Sequence, residues 1–442
     1  MAEKVTGWSR SIFSHSTRGN FESTEQIERL DVRRGAIPRG FGRSYGDSAS
    51  NSGGVTLKTE LLKEIYIDAV SRIAILGAGV SISELELESL KIGLFPFVVP
   101  GTSRITIGGA IASDIHGKSH HKVGSFSEYL REIKIVSADG KIHVLRPNDE
   151  TSRLFWATVG GMGMTGIIVE ATIELQKVAC NFLEVEEVRV QDLDKLLTTL
   201  SEFDEKYFYT VAWVDLSGQY KGRGVVSGAN HISSEKVNSR KNRTKASSVA
   251  SLKEFSLPRL FQIGFINRLT IRLFNSFWFH KPLGKQFQEI RAYMHPLDGI
   301  ANWNLVYGKK GFLQYQFVIP FEQEQILANV LDILKKAKIG SLLAVLKSFG
   351  SCSNGLLSFP MKGWTLAIDV PLGNKQLSRV IRDLDRIIVG VGGRVYLTKD
   401  SCTSSNLIPL MYPRLEEWKE IKQEIDPLNL WQSDQGRRLN LC

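Results

Sequence analysis

The chain has 442 residues, 43% hydrophobic and 23% charged, the balance of a soluble protein with room for two or three domains. No run of 18 or more apolar residues occurs, and the first residues lack the apolar core of a secretory signal, so neither a spanning helix nor export is expected. Cys180, Cys352, Cys402 and Cys442 are far apart and lack metal-site spacing, which fits a reducing, cytoplasmic compartment and no metal. The formal net charge is +10, yet the stretch Lys221 to Lys310 alone holds sixteen Lys and Arg against four Asp and Glu, or +12, leaving −2 for the rest. Such a block points to an anionic partner (nucleic acid, a phosphorylated substrate or a membrane surface) or is simply a solvated basic loop.

In chain order, "RGFGRSYGDSASNSGG" (Arg39 to Gly54) places five glycines in sixteen residues beside arginine, tyrosine and aspartate. A backbone this bare can mould itself round a large anionic ligand, or be a surface turn. "RIAILGAG" reads as a strand. "SISELELESLKIG" reads as a helix with Ser81 as N-cap, Glu84 closing a capping box and Gly93 as the stop. "VPGTSRITIGGAIASDIHGKSHH" (Val99 to His121) is a second glycine segment whose N–H groups can approach phosphate oxygens unobstructed. "EIKIVSADGKIHVL" reads as a hairpin turning at Asp139-Gly140. "GMGMTG" (Gly161 to Gly166) matches the dinucleotide fingerprint, but helix-like "SRLFWATVG" precedes it and strand-like "IIVEATIEL" follows. The fingerprint needs the reverse order, so a nicotinamide Rossmann site is excluded.

After Lys177 the glycine density falls, and a domain boundary is expected there. Ser233 to Pro258 is rich in Ser, Lys and Arg without periodicity and reads as a mobile basic loop. "RLTIRLFNSFWFHKPLGK" mixes Phe274, Phe277, Trp278 and Phe279 with Arg268, Arg272, Lys281 and Lys285. It suits either an interfacial segment at anionic headgroups or a buried helix with snorkelling ends. "FLQYQFVIPFEQEQILANVLDILKKAKIG" and "TLAIDVPLGNKQLSRVIRDLDRIIVGVGG" each run strand, then helix, then glycine, and "RVYLTKD" reads as a further strand. Side by side they predict an antiparallel sheet with helices on one face. The tail "YPRLEEWKEIKQEIDPLNLWQSDQGRRL" reads as a helix and an ordered loop.

"RGFGRSYGD", "PGTSRITIGGAIASDIHG", "LFWATVGGMGMTGIIVEATIEL" and "IDPLNLWQSDQGRRL", in this order, resemble the FAD-binding (PCMH-type) fold of the vanillyl-alcohol oxidase superfamily. Within it, "HGKSHH", "GFLQYQFVIP", "YLTKDS" and "MYP" resemble the oxidases of lipid-linked phosphoribose, nearly end to end and thinning between about 227 and 285. The resemblance implies an α+β protein of two domains: an FAD-binding domain over 1–178, completed by 405–442, and an antiparallel-sheet substrate domain covered by helices over 179–404, with the basic loop at about 233–258. It implies that Pro38, Arg39, Gly40, Phe41, Gly42, Arg43, Ser44, Tyr45, Gly46, Asp47 and Ser48 hold the FAD pyrophosphate. Gly101, Thr106, Ile107, Gly108, Gly109, Ser113, Asp114, Ile115 and His116 would wrap the rest of the cofactor, with Ile168 near the adenine and Tyr396 reaching in from the second domain. Many relatives carry a flavin-linked histidine where this chain has Arg43, and no cysteine precedes Cys180, so the FAD is expected to be dissociable.

The implied reaction is oxidation of the 2′-hydroxyl of a polyprenylphosphoryl-β-D-ribose to the 2′-keto sugar, the first half of an epimerisation to arabinose that a separate NAD(P)H-dependent reductase completes. Such an oxidation needs a partner for the hydroxyl proton and positive charge beside the reduced ring. Lys399, Tyr45 and His116 are the catalytic candidates. Lys118, Gln314, Gln316, Lys347, Thr365, Ala367 and Lys399 are the substrate candidates, with Tyr307, Trp213 and Trp364 as weaker wall candidates that are more often core. Gln314 and Gln316 share one strand face, opposite Leu313, Tyr315 and Phe317. Mycobacterial members have Asn and Cys where Thr365 and Ala367 stand, which alters the wall beside the sugar but removes nothing hydride transfer needs. A lipid substrate would account for the basic block and the aromatic segment through peripheral contact with the inner membrane. The competing readings are an FAD oxidase of a soluble alditol or sugar-1,4-lactone, and, least supported, a nucleic-acid-binding protein, for which no recognisable module exists.

Overall fold

The computed structural model describes residues 2–31, 33–217, 221–233, 255–256 and 266–442. Apart from Ser233 and the backbone of Phe255–Ser256, the basic loop expected at 233–258 lies outside the described residues. Three sheets organise the rest.

The first is four-stranded, in the order β1 (Ala2–Thr6), β2 (Phe13–Asn20), β4 (Val55–Lys58), β3 (Ala36–Arg39), with β4 parallel to both β2 and β3. The open edge of β3 is taken by the far end of the chain: Ala36 bridges Trp431 in parallel, and Gln432 N donates to Ala36 O. Trp431 is fully buried there among Phe21, Ile27 and Leu57.

The second sheet runs β5 (Ile65–Asp68), β6 (Ile73–Gly77), β10 (Ile167–Lys177), β8 (Leu130–Val136), β9 (Ile142–Leu145), with β7 (Leu94–Pro96) also on β10. The hairpin between β8 and β9 turns at Gly140, whose φ of +77° a glycine adopts freely. Helix α1 (Ile82–Leu90) begins on the expected capping box, Ser81 accepting from Glu84 N while the Glu84 carboxylate accepts from Ser81 N. Helix α2 (Ile107–Ala112) lies over β10 and carries the second glycine segment. Short α3 (His120–Val123) and α4 (Ser152–Thr158) follow, and "GMGMTG" forms the turn from α4 into β10.

The third sheet has eight strands, β15 (Lys285–Glu289), β11 (Phe182–Val190), β13 (Gly224–His231), β12 (Tyr209–Val214), β18 (Ala344–Phe349), β19 (Gly363–Pro371), β17 (Phe312–Ile319) and β20 (Arg394–Val395), antiparallel throughout. A small parallel pair, β14 (Phe255–Ser256) with β16 (Ile300–Ala301), stands apart. The two strand–helix units lay β17 beside β19, as their sequence pattern implies. On one face Leu313, Tyr315, Phe317, Leu346, Leu366 and Ile368 form a core with α5 (Leu193–Lys206) and with two helices further on, Gln325–Lys336 and Leu377–Gly390. Alternation turns the other face, with its glutamines, towards the second sheet and the glycine segments.

One expectation needs correction, and one left open is narrowed. "RVYLTKD" is a strand only over Arg394–Val395; a 3₁₀ turn over Leu397–Lys399 replaces the rest, because Lys399 N and Asp400 N both bond back to Tyr396 O. "RLTIRLFNSFWFH" is helix α6 (Arg268–His280), neither buried nor wholly surface: Ile271, Asn275 and Phe279 are buried, whereas Leu269, Leu273 and Phe277 are exposed. Short α7 (Ile290–Met294) then returns the chain to α1, where Arg291 meets Glu86.

Candidate active site

A cavity of about 1330 Å³ opens between the glutamine face of the third sheet and the two glycine segments. Its volume exceeds the roughly 300–1,000 Å³ typical of a site for one drug-sized ligand, so a large cofactor and a substrate can share it. The segments touch each other: a Cβ on Gly40 would run into the Thr106 side chain, whose hydroxyl accepts from Gly109 N at 3.1 Å. Gly42 has a φ of +63°, the left-handed conformation that lets the first segment fold back on Arg39. Pro38, Arg39, Gly40, Phe41, Gly42, Arg43, Ser44, Tyr45 and Ser48 line the cavity from one segment; Gly101, Thr106, Gly108, Gly109, Ser113, Ile115 and His116 line it from the other, with Ile168 and Tyr396 between.

Four of the expected cofactor residues stand behind that wall. Gly46 is packed against the backbone of Asp400, and Asp47 is buried in an ion pair with Arg438, which also reaches Asp400 at 2.8 Å. These contacts fasten the first segment from behind. Ile107 is wholly buried in the core under α2. Asp114, at φ +37°, turns its carboxylate away to Ser358 Oγ (2.6 Å) and Ser127 N (3.2 Å). Arg39 reaches the wall, but its guanidinium is spent on the carbonyls of Ala49 and Thr6 at 2.8 and 2.7 Å. Arg43 stacks on the Trp8 ring at 3.8 Å.

The sheet face follows from register. Gln316 pairs with Ala367, Gln314 with Asp369, Lys347 with Thr365, and Trp213 with both Val225 and Val345, so all these side chains share one side. Gln314, Gln316, Lys347, Ala367, Tyr307 and Trp213 reach the cavity. Thr365 does not; its hydroxyl donates to Phe317 O (2.9 Å) and accepts from Gln316 Nε2 (3.0 Å). The same Gln316 nitrogen lies 3.0 Å from His116 Nε2. Burial, reinforced by Lys347 and Lys399, holds the His116 pKa well below the usual histidine range, so the neutral ring accepts from the glutamine. Trp364 is also off the wall, packed edge-on against Phe321 at 5.0 Å.

Four lysines line the cavity, and one of them, Lys281, is held in an ion pair with Glu187 at 3.0 Å. Burial pushes Lys347 down to about 7, with Lys399 and Lys118 adding to the effect, and pushes Lys118 down to about 7. Lys118 is also braced: its ammonium donates to the carbonyls of Tyr293 and, at 3.0 Å, Met294. Lys399 lies 5.5 Å from the Tyr45 ring centre, bringing the 3₁₀ turn of the third sheet against the first glycine segment. Burial lowers its pKa and Asp369 opposes the fall. Tyr396 donates to Ser113 O at 2.8 Å and lies 5.0 Å from the His116 ring.

Sequence reasoning missed three groups. Asp369, fully buried beneath Gln314, accepts from Gln314 Nε2 and lies 3.4 Å from Tyr307 OH; a single Asp in an apolar strand was the only available sign. Asp298 binds Thr102 Oγ1, Ser103 N and Ser103 Oγ at 2.6–2.7 Å, holding the second glycine segment. In α7, Arg291 reaches the Glu86 carboxylate at 3.2 Å, and His295 just beyond it reaches the other oxygen at 2.6 Å, both far inside the protein.

Do these walls suit FAD? Ser44 Oγ, His116 Nδ1 and Gln316 Oε1 are buried beside the cavity without a hydrogen-bond partner among the described residues. Orphaned groups of that kind are costly unless a ligand satisfies them. Gly101 leaves open space where a Cβ would stand. The residues present fit a long, polar, bent cofactor.

Known proteins agree. The FAD binding domain family matches residues 33–146, which span both glycine segments. An alditol oxidase of a Streptomyces species is 26% identical over 40% of this chain and 43% of its own length. An uncharacterized protein of Streptomyces coelicolor is 32% identical over 80% of this chain and 97% of its own. The decaprenylphosphoryl-β-D-ribose oxidase of Mycolicibacterium smegmatis is 36% identical over 99% of this chain and 98% of its own. Cofactor walls, sheet face and likeness along the whole length lead to one conclusion: the chain belongs to the decaprenylphosphoryl-β-D-ribose oxidase family of FAD-binding oxidoreductases.

Proposed function

We propose that the protein oxidises the 2′-hydroxyl of a polyprenylphosphoryl-β-D-ribose to the 2′-keto sugar. The observation that carries this reading is the meeting of Lys399 and Tyr45, 5.5 Å apart, beside the Gln314–Gln316 face and the glycine segments. The two glycine segments would hold FAD, which would supply the hydride acceptor for the carbinol carbon. The chain's own residues do the rest. Gln316, held by Thr365 and His116, and Gln314, held by Asp369, orient the sugar hydroxyls. Lys399, whose ammonium burial makes easier to deprotonate, handles the hydroxyl proton beside Tyr45. Lys347 supplies positive charge for the phosphate.

The FAD-binding domain comprises 1–178 with 405–442, and the substrate domain 179–404. The FAD is dissociable, with Arg43 where covalently linked relatives carry histidine; acid precipitation that leaves the yellow colour with the protein would refute this. The product ketone calls for a separate NAD(P)H-dependent reductase. No described helix is long and apolar enough to cross a membrane, so the lipid substrate is met through peripheral contact, from the cytoplasmic side.

The test is flavin bleaching without oxygen. Polyprenylphosphoryl ribose should bleach the holoprotein and soluble alditols or sugar-1,4-lactones should not; the opposite pattern would move the protein to the soluble-substrate class.

A further inference from the structure

Helix α6 is built of four side-chain rows, each repeating every fourth residue. Ile271, Asn275 and Phe279 are buried against the third sheet. Thr270, Phe274 and Trp278, continued upstream by Ile266, line the cavity. Arg268, Arg272, Ser276 and His280 form the polar row. The remaining row, Leu269, Leu273 and Phe277, is 65%, 62% and 73% exposed. At about 100° per residue, the exposed row and the cavity row are neighbours on the helix surface. Phe274 joins them, being both 42% exposed and part of the cavity wall. Apolar surface therefore runs unbroken from solvent, across α6, into the cavity.

A row of large apolar side chains facing water needs an occupant. Helix α6 carries Arg268 and Arg272 and no carboxylate, while Lys281 and Lys285 just beyond it are paired with Glu187 (3.0 Å) and Glu186 (3.6 Å) of β11. Cations flanking an outward apolar row match a bilayer whose surface carries anionic headgroups. A bilayer is also where a prenyl chain resides.

We propose that α6 docks the protein on an anionic lipid bilayer through Leu269, Leu273 and Phe277, and that its Phe274–Trp278 row carries the prenyl chain from the bilayer to the cavity. The second half rests on the lipid-linked substrate proposed above; the first stands without it. The chain slides along apolar surface throughout, while the sugar phosphate enters the cationic part of the cavity.

The test is co-sedimentation of the FAD-loaded, full-length protein with phosphatidylcholine vesicles, with and without phosphatidylglycerol. The unaltered protein should bind the anionic vesicles and not the neutral ones. The double variant L273D/F277D should bind about tenfold less or weaker, while retaining its FAD. It should oxidise detergent-solubilised polyprenylphosphoryl ribose at the unaltered rate, and the same lipid embedded in vesicles more slowly. Equal vesicle binding by the variant, or no binding by the unaltered protein, overturns the docking surface. A dimer in sedimentation velocity that the double variant dissociates, with no vesicle binding, would assign the row to a second copy instead. An unaltered protein that binds vesicles but leaves the lipid sugar unoxidised even in detergent would overturn the substrate reading and leave the docking surface standing.

Discussion

Replacing Asp369 by Asn tests the proton chemistry without changing side-chain shape. Asp369 is fully buried, accepts from Gln314 Nε2, lies near Tyr307 OH, and opposes the burial that drives the Lys399 pKa down. An asparagine keeps an oxygen for Gln314 and removes the charge. Asp369 carries that charge only above its own pKa, raised by burial to about 7, so the comparison is made on the part of the limb above that pH. An opposite charge close by in a protein typically moves a pKa by 1–3 units, so its loss lets the Lys399 pKa fall by about one unit, or ~1.4 kcal/mol. If neutral Lys399 accepts the hydroxyl proton, the rate of flavin reduction climbs with pH through the lysine pKa. In D369N that rising limb should therefore move about one unit towards acid. Anaerobic stopped-flow bleaching across pH 5 to 9, roughly the span over which such a limb is visible, reads it directly. Unfolding should stay close to that of the unaltered protein. A limb that stays in place, or moves towards alkali, would refute the assignment of Lys399 as the group that handles the proton.

Three further outcomes follow from the same geometry. Thr365→Val removes the hydroxyl that fixes Gln316; kcat/KM should fall about tenfold, the value of roughly one hydrogen bond, with FAD content unchanged. Arg438→Met leaves Asp47 and Asp400 facing each other without their shared cation; stability to urea should drop by about 3–5 kcal/mol, and a drop under 1 kcal/mol, about that of a surface pair, would refute the fastening role. His120 is buried, and burial, then Lys347 and His121, lower its pKa to about 3. Its folded pKa lies below the unfolded value, so its contribution is complete above about pH 6.5 and is lost as pH falls towards the folded pKa. Going from pH 6.5 to 5, at ~1.4 kcal/mol per unit, it removes about 2 kcal/mol, so His120→Gln should lose about 2 kcal/mol less than the unaltered protein over that interval in urea titrations.

What could be read from sequence was local. A helix start written by Ser81 and Glu84, a turn at Asp139-Gly140 and alternating glutamines in "FLQYQFVIP" each state their structure within a few residues. The cavity-lining parts of the glycine segments were legible because a bare backbone has few other uses. Four neighbours in those segments, Gly46, Asp47, Ile107 and Asp114, were grouped with the wall yet face away from it. Which side a loop residue faces depends on partners such as Arg438 and Ser358, hundreds of positions distant. Thr365 supports Gln316 only through strand register, and Asp369 meets Gln314 only across the β17–β19 ladder. Lys399 lines the cavity from a 3₁₀ turn, not from the strand that "RVYLTKD" suggests.

The edge of β3 closed by Trp431, with Arg438 behind the first glycine segment, has a consequence for synthesis. A ribosome emits residues 36–48 some four hundred positions before their lid and clasp, so a nascent chain has no finished cradle until Trp431 and Arg438 have been made. Flavin capture should accordingly await residues 431–438, and a protein cut short before Trp431 should emerge colourless however much FAD the cell holds.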